Sequence, residues 1–338
     1  MENKFKIFMT IIFIIFILCF VTNLLRIIKW KKNDSKDKKN LVNNNEFVLK
    51  NKGKIEKVMD TNSDELKSLR KNAFLSVILF IISLILIMLP FGAFFAIPLF
   101  IVSAVVLVTN MSKYRSANEE KFVDVVNNAL HEYDSDLEYR ATGGFGKSEY
   151  HTCLFPETCD RFHSEDMVTN SKKEFCYADI TVKSEHEDSD GDKNYVTEYQ
   201  GSLARMSIKN TGCRIFLGST SGNFIYGPNN YKSIKFENDE FNKLFRASSD
   251  NELLAYKLLT PDIMEEFVNL KKNTYGDIDI RIIYDKLYIR FSSGNTFDSR
   301  LFNKKSEKKE LLQSIAVLEE VIKTMDKAKK IIDSKIFD

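Results

Sequence analysis

Apolar residues are concentrated in two uncharged stretches near the N-terminus, and beyond them polar and apolar positions alternate over short distances. The longer stretch runs from Asn72 to Ser112 and contains no charged residue and no histidine. As one helix, its core from Ala73 to Thr109 would be about 55 Å long, against roughly 30 Å of bilayer hydrocarbon. The helix breaker Leu89-Pro90-Phe91-Gly92 lies in its middle. We therefore predict two short spans, near 73–89 and 93–109, that form a transmembrane hairpin covering residues 73–110, which either crosses the bilayer fully or is re-entrant.

The first apolar stretch, Ile7–Leu25, is also long enough to span a bilayer. Because Lys4 and Lys6 precede it, a cleaved signal peptide is the alternative interpretation. The apolar segment is longer than the usual h-region, however, and no small-x-small cleavage site follows it. We therefore predict that residues 1–28 form an uncleaved transmembrane helix.

Basic residues flank these spans unevenly. Residues 29–72 form a Lys- and Asn-rich linker, whereas only Lys4 and Lys6 precede the first span and the hairpin tip has no basic residue. The positive-inside rule therefore predicts a multi-pass protein of the cell membrane, with the linker and everything after residue 112 in the cytoplasm and Met1 outside. The basic cluster 26–39 either contacts anionic lipid headgroups, at about 1 kcal/mol per basic residue, or only sets the topology.

The rest of the chain, residues 111–338, mixes helical and strand periodicity, which predicts one α+β domain built on antiparallel sheet with flanking helices. An acidic stretch, Ser184–Asp192, lacks the ligand order of a calcium loop and is predicted to be a solvated hairpin loop. The predicted helices are Met111–Tyr133, Asp239–Phe245, Asn251–Leu259, Pro261–Lys272 and roughly 306–334. The predicted strands are Cys176–Val182, Tyr195–Lys209, Cys213–Gly218 and the two arms of a hairpin over Ile278–Phe291.

Composition excludes some partners. The net charge of +2 is not concentrated on a basic domain, which argues against nucleic-acid binding. The chain has 5 cysteines, one of them within a span, and they form no regular disulfide framework, as expected in a reducing compartment.

Two segments resemble sites for small ligands. Ala141–Ser148 ends in Gly-Lys-Ser like a phosphate-binding loop, but it has alanine where the motif needs its first glycine, and no buried strand precedes it. We interpret its glycines as turn residues and predict no cofactor. His151, Cys153, Cys159 and His163 could in principle bind zinc, but their spacing matches no common zinc module. We treat this cluster as a minor alternative to a chain without a metal.

The stretch from about 113 to 302 resembles a bacterial membrane-anchored family of unknown function, the domain-of-unknown-function family numbered 3137. The resembling segments are Leu154-Phe155, Asp160-Arg161-Phe162, Glu165-Asp166, Tyr199-Gln200-Gly201 and, most specifically, Phe236–Phe267. The resemblance implies a transmembrane hairpin, a helix and a cytoplasmic α+β domain, and it implies no catalytic residues. The zinc candidates are not part of the family pattern, and the first span is additional to it.

These patterns favour a membrane-anchored interaction or scaffold module, with the lipid bilayer and a protein as its partners, over an enzyme. The alternative is an enzyme at the membrane face that uses carboxylates such as Glu165-Asp166 and Asp250, gathered by folding into a pocket. Transport is disfavoured because no ionisable residue lies in any predicted span.

Overall fold

The computed structural model describes residues 53, 64–87, 93–187, 191–221, 227, 231–274, 276–292, 297 and 304–336. The predicted first span and most of the basic linker lie outside the described residues. The helices are α1 (Asp64–Ile87), α2 (Ala93–Tyr133), α3 (Lys147–Thr152), α4 (Asp239–Leu244), α5 (Glu252–Leu258), α6 (Pro261–Asn273) and α7 (Lys304–Lys335). The strands are β1 (Leu137–Thr142), β2 (Arg161–Asn170), β3 (Phe175–Glu187), β4 (Lys193–Ser207), β5 (Arg214–Ser219), β6 (Lys232–Ile234), β7 (Phe245–Ser249), β8 (Ile278–Ile283) and β9 (Lys286–Phe291).

Helices α1 and α2 pack against each other, and both contain a segment long and apolar enough to cross a membrane. The predicted second span and the predicted amphipathic helix that follows it are one element, because α2 runs without interruption for 41 residues, about 62 Å. Its one proline, Pro98, lies close to its start and does not end it.

The packed faces of α1 and α2 carry small polar residues. The Ser83 and Ser103 hydroxyls are buried and lie 3.0 Å apart, and Asn110 Nδ2 donates to Ser76 Oγ at 2.7 Å. Large apolar side chains face outward instead, and they are Phe74, Leu75, Ile78, Leu79, Ile81, Ile82, Ile85, Ile97, Ile101, Val102, Val105, Val106, Val108 and Met111. Polar contacts inside and apolar side chains outside are the arrangement of helix pairs that pack in lipid.

Within the described residues, nine strands form one sheet in the order β1-β2-β3-β4-β9-β8-β5-β7-β6, and every pair in it is antiparallel. This confirms the predicted combination of helices with antiparallel sheet. Side chains of β3 alternate between two sides of the sheet, since Tyr177 lies in one hydrophobic core and Ala178 in the other. The sheet therefore has a core on each face.

The larger core lies between the sheet and the helices. It includes Phe267 of α6, Ile315 of α7 and the end of α2, where Val126 and Leu130 are buried. Proline at the first turn of α6, after the N-cap Thr260, confirms the predicted start of that helix. Asn127 of α2 bonds both backbone groups of Tyr139, accepting from its N–H at 2.7 Å and donating to its C=O at 3.2 Å. These contacts attach α2 directly to the edge strand β1.

Two local predictions are wrong. Phe245 does not end a helix but begins β7, which pairs with β5 and β6. The acidic loop is shorter than predicted, because Ser184–Glu187 continue β3 and pair with β4 as far as Glu187 opposite Lys193. Both errors have one cause, since pairing with a neighbouring strand outweighs the local conformational preference of these residues.

Gly201, one of the residues that carried the family resemblance, lies in β4 close to the backbone of β9. A Cβ at this position would overlap the Phe291 carbonyl oxygen and the Tyr199 hydroxyl. Its backbone is not left-handed, so glycine is required here for close approach rather than for conformational freedom.

Candidate functional site

The second core is closed by residues 143–160, which we call the strap. Gly143 and Gly144 have positive φ values of 98° and 149°, and a Cβ at Gly144 would overlap Ser164 Oγ. Lys147, the lysine of the Gly-Lys-Ser segment, donates from Nζ to the Asp160 carbonyl oxygen at 2.8 Å and so links the two ends of the strap. The glycines therefore act as turn residues, and the lysine bonds within the strap.

Arg290 of β9 is the central group beneath the strap. Its Nε donates to Asp279 Oδ2 at 3.1 Å, and its Nη2 also bonds Asp279. Its Nη1 donates to Glu157 Oε2 at 2.6 Å and to the Tyr150 hydroxyl at 3.0 Å. Only 3% of the Arg290 side chain is exposed. The guanidinium is therefore shared between a carboxylate of the sheet and a carboxylate of the strap.

Two aromatic rings enclose this guanidinium. The Arg290 Cζ lies 3.9 Å from the ring centroid of Phe155 in the strap and 4.1 Å from that of Tyr199 in β4. Tyr150 also donates its hydroxyl hydrogen to Glu157 Oε2 at 2.9 Å. Stacking on rings and hydrogen bonding in the guanidinium plane are the two contacts that arginine makes best.

Arg281 of β8 is fully buried beside Arg290. Its Nη1 donates to the carbonyl oxygens of Leu217 at 3.0 Å and Ile280 at 3.3 Å. Its Cζ lies 4.4 Å from the Phe216 ring and 5.2 Å from the Phe155 ring. The Phe155 ring therefore covers both arginines.

A third ion pair lies towards the other end of the strap. Arg205 Nη1 of β4 is 2.7 Å from Glu149 Oε1 of α3, and the Tyr288 hydroxyl donates to the same oxygen at 3.4 Å. We call Arg205, Arg281, Arg290, Asp279, Glu149 and Glu157 the charge cluster. Its formal charges balance, because three arginines face three carboxylates.

The two central arginines have opposite pKa shifts. Burial lowers the pKa of Arg281 to about 10, while nearby Asp279 acts in the other direction. Burial also acts to lower the pKa of Arg290, but Asp279 and the other acidic neighbours outweigh it, so the net shift is upward. Both guanidiniums are charged at neutral pH, and neither is a proton donor at that pH.

The candidate zinc residues do not converge. His151 and His163 are exposed, and His163 Nε2 lies 3.3 Å from Glu165 Oε2. Cys153 and Cys159 are buried, and Cys153 Sγ contacts the Glu149 carbonyl oxygen at 3.6 Å. In the described part of the chain, no group of three or more histidine, cysteine or acidic side chains could hold a metal ion. Both cysteines lie in the second core.

The carboxylates considered for catalysis are also far apart. Asp166 lies on β2, where it accepts a hydrogen bond from the Tyr139 hydroxyl at 2.6 Å. Asp250 follows β7, where it accepts from the Arg214 backbone N–H at 2.8 Å. Six strand spacings separate β2 from β7, about 29 Å. These groups therefore do not share one pocket.

Sequence reasoning missed the charge cluster, although its signal is present in the β8–β9 hairpin. The apolar residues assigned there to the core leave Asp279, Arg281 and Arg290 on the opposite face, and Asp279 pairs in register with Arg290. Such alternation usually marks a solvated face. Here the strap covers that face, so the polar residues are buried.

Together, the two packed apolar helices and the two-cored antiparallel sheet define a class of protein, an α+β domain that follows a pair of apolar helices. Residues 204–334 match the family described as "Protein of unknown function (DUF3137)", which confirms the family predicted from the sequence. The match includes Phe236–Phe267 and the three arginines, whereas the strap and the other resembling segments precede it.

Other comparisons add little. The crystal structure of the mycobacterial trehalose monomycolate transport factor A, TtfA, is similar over 59% of this chain and 95% of that chain, with 7% sequence identity and a TM-score of 0.31. Similarity at this level carries no inference about function. A search of curated proteins found no match.

Proposed function

We propose that the protein is a membrane-anchored interaction module, whose α+β domain binds a protein partner at the cytoplasmic face of the bilayer. The continuity of α2 is the observation that carries this proposal. From Ser112, where the uncharged stretch ends, to Val126 in the domain core, the helix rises about 21 Å. A domain on such a stalk has a defined distance from the lipid surface.

The charge distribution supports binding over catalysis. In the charge cluster, each carboxylate bonds an arginine or a tyrosine hydroxyl, so its charges serve to hold the strap on the sheet. The carboxylates of the alternative enzyme hypothesis lie on distant strands. The cytoplasmic orientation is supported by the basic linker before the hairpin and by Lys113 and Arg115 directly after it.

Orientation is tested by cysteine accessibility in intact cells. Leu253 is 82% exposed on α5, so the variant Leu253→Cys is expected to react with a membrane-impermeant maleimide only after the cells are permeabilised. The matched control is Gly92→Cys at the predicted hairpin tip, which should react without permeabilisation. Labelling of Leu253→Cys in intact cells at the rate of the control contradicts the cytoplasmic assignment.

The interaction role is tested by crosslinking in cells. The full chain is expected to crosslink reproducibly to a protein that is not captured by an anchor-only chain of residues 1–121, expressed at the same level. If the two chains capture the same set of proteins in repeated experiments, the domain adds no binding and the proposal fails.

A further inference from the structure

The charges of the cluster come from two different parts of the chain. Arg205, Arg281 and Arg290 lie on strands of the sheet, whereas Glu149 and Glu157 lie on the strap. Resting on the proposed role in protein binding, we propose that this arginine face is a binding site for an acidic, aromatic-containing peptide segment of the partner. In the structure described here, the strap's own tip occupies that site.

The tip of the strap, Leu154–Thr158, shows the ligand chemistry that the face accepts. The Phe155 ring stacks on Arg290, and the Glu157 carboxylate bonds the same guanidinium at 2.6 Å. An aromatic residue can therefore stack on the flat face of one arginine, while a glutamate two positions later accepts a hydrogen bond at the edge of the same guanidinium. A partner segment with the same spacing can make the same two contacts.

Removing the tip would leave a face with excess positive charge. Of the two carboxylates described on Arg290, Asp279 belongs to the sheet and Glu157 to the tip. The Tyr199 hydroxyl, close beside Arg290, is buried and has no hydrogen-bond partner among the described residues. A buried hydroxyl that is left unsatisfied is costly, so it favours an incoming acceptor such as a second carboxylate oxygen.

The tip residues are all partly buried or exposed, whereas the rest of the strap contains fully buried residues. Phe145, Tyr150 and Cys153 are buried in the second core, and the Lys147 bond to Asp160 closes the base. Leu154, in contrast, is 36% exposed and has a positive φ of 52°. A non-glycine residue in this conformation is strained, which lowers the cost of moving the tip. The base of the strap can therefore stay in place while the tip leaves.

The test measures binding of a labelled peptide to the full chain in nanodiscs of neutral lipid. The peptide has the sequence of residues 150–160 with serine in place of both cysteines. We expect weak binding to the wild type, because the tethered tip competes, and at least tenfold tighter binding to the double variant Phe155→Ala, Glu157→Gln. Equal binding to both proteins, with the double variant folded, overturns the proposal.

Matched controls distinguish binding at the arginine face from nonspecific binding of the peptide. A peptide with glutamine in place of its glutamate and alanine in place of its phenylalanine should lose the tenfold gain. The unchanged peptide should also lose the tenfold gain when the double variant additionally carries Arg290→Lys, because lysine cannot form the planar paired bonds. If either control still binds with the full gain, the arginine face is not the site.

A measurement on the wild type covers the case in which the double variant does not fold. Cys153 and Cys159 flank the tip, whereas Cys213 lies in the larger core on the opposite face. Tip displacement should let a soluble thiol reagent modify Cys159 or Cys153 at least tenfold faster than Cys213. Equal rates for all three show that the tip opens only with global unfolding, and the proposal is then wrong.

These outcomes are distinct from failure of the proposed function. If crosslinking finds a partner while the peptide gains no affinity, the domain binds elsewhere and only the arginine-face proposal fails. If crosslinking finds no partner, the interaction role itself fails, whatever the peptide does.

Discussion

Arg290→Met is expected to lower the free energy of unfolding by about 3–5 kcal/mol, the usual cost of removing one partner from a buried ion pair. The substitution leaves the Asp279 and Glu157 carboxylates, which are only 13% and 14% exposed, without their shared cation. It also removes the planar group between the Phe155 and Tyr199 rings. The effect is measured by urea unfolding of the full chain in detergent, followed by circular dichroism.

An exposed arginine provides the control for this substitution. Arg115 pairs with Glu119 one turn along α2, but 73% of its side chain is exposed. Arg115→Met should therefore change stability by less than about 0.5 kcal/mol. A loss below about 1 kcal/mol for Arg290→Met would show that the buried pairs contribute little.

The loss of stability in Arg290→Met comes from the carboxylates that it leaves unpaired. Removing those carboxylates as well should therefore restore part of the free energy of unfolding. Replacing Asp279 and Glu157 by leucine in the Arg290→Met protein removes the unpaired carboxylates together. A wholly apolar replacement of a buried ion network is often neutral or stabilising. The triple variant is therefore expected to be more stable than Arg290→Met alone.

Stability should fall steeply above pH 9. Burial raises the pKa of Cys153 to about 12 and the pKa values of Cys176 and Cys213 to about 11, from an ordinary 9.0. Burial likewise raises the pKa values of Tyr139 and Tyr150 above their ordinary 10.0. Above pH 9 the unfolded chain loses these protons while the folded chain keeps them, so rising pH favours unfolding.

Each such group lowers the free energy of unfolding by about 1.4 kcal/mol per pH unit between its unfolded and folded pKa values. The three thiols alone should account for at least about 4 kcal/mol between pH 9 and pH 11. Urea unfolding across this range measures the slope, and Cys153→Ala should reduce it by the share of one thiol. Constant stability up to pH 11 would contradict the burial of these groups.

Elements with strong local signals could be predicted from the sequence. The helical hairpin follows from a charge-free stretch interrupted by Pro90-Phe91-Gly92, and the β8–β9 hairpin from alternating isoleucines. The start of α6 follows from a proline after a capping residue. Each of these depends on residues that are close together in the chain.

The missed elements depend on distant residues. Strand β2 has a mostly polar sequence and an irregular register between Glu165 and Val168, which hides its alternation. Strand β7 is short and becomes a strand only beside β5 and β6. The charge cluster could not be predicted for the same reason, because only the strap turns a polar sheet face into a buried one.

The unbroken α2 helix also fixes the rotational orientation of the domain about the helix axis. Each residue of an α-helix turns the chain by about 100°, so adding or deleting one residue between Lys113 and Lys121 would rotate the whole domain by that amount about the stalk. A change of seven residues returns the domain to within about 20° of its starting azimuth and moves it about 10 Å along the helix axis. Under the proposed membrane anchoring, the number of residues in this helix therefore selects which side of the sheet faces a neighbouring protein.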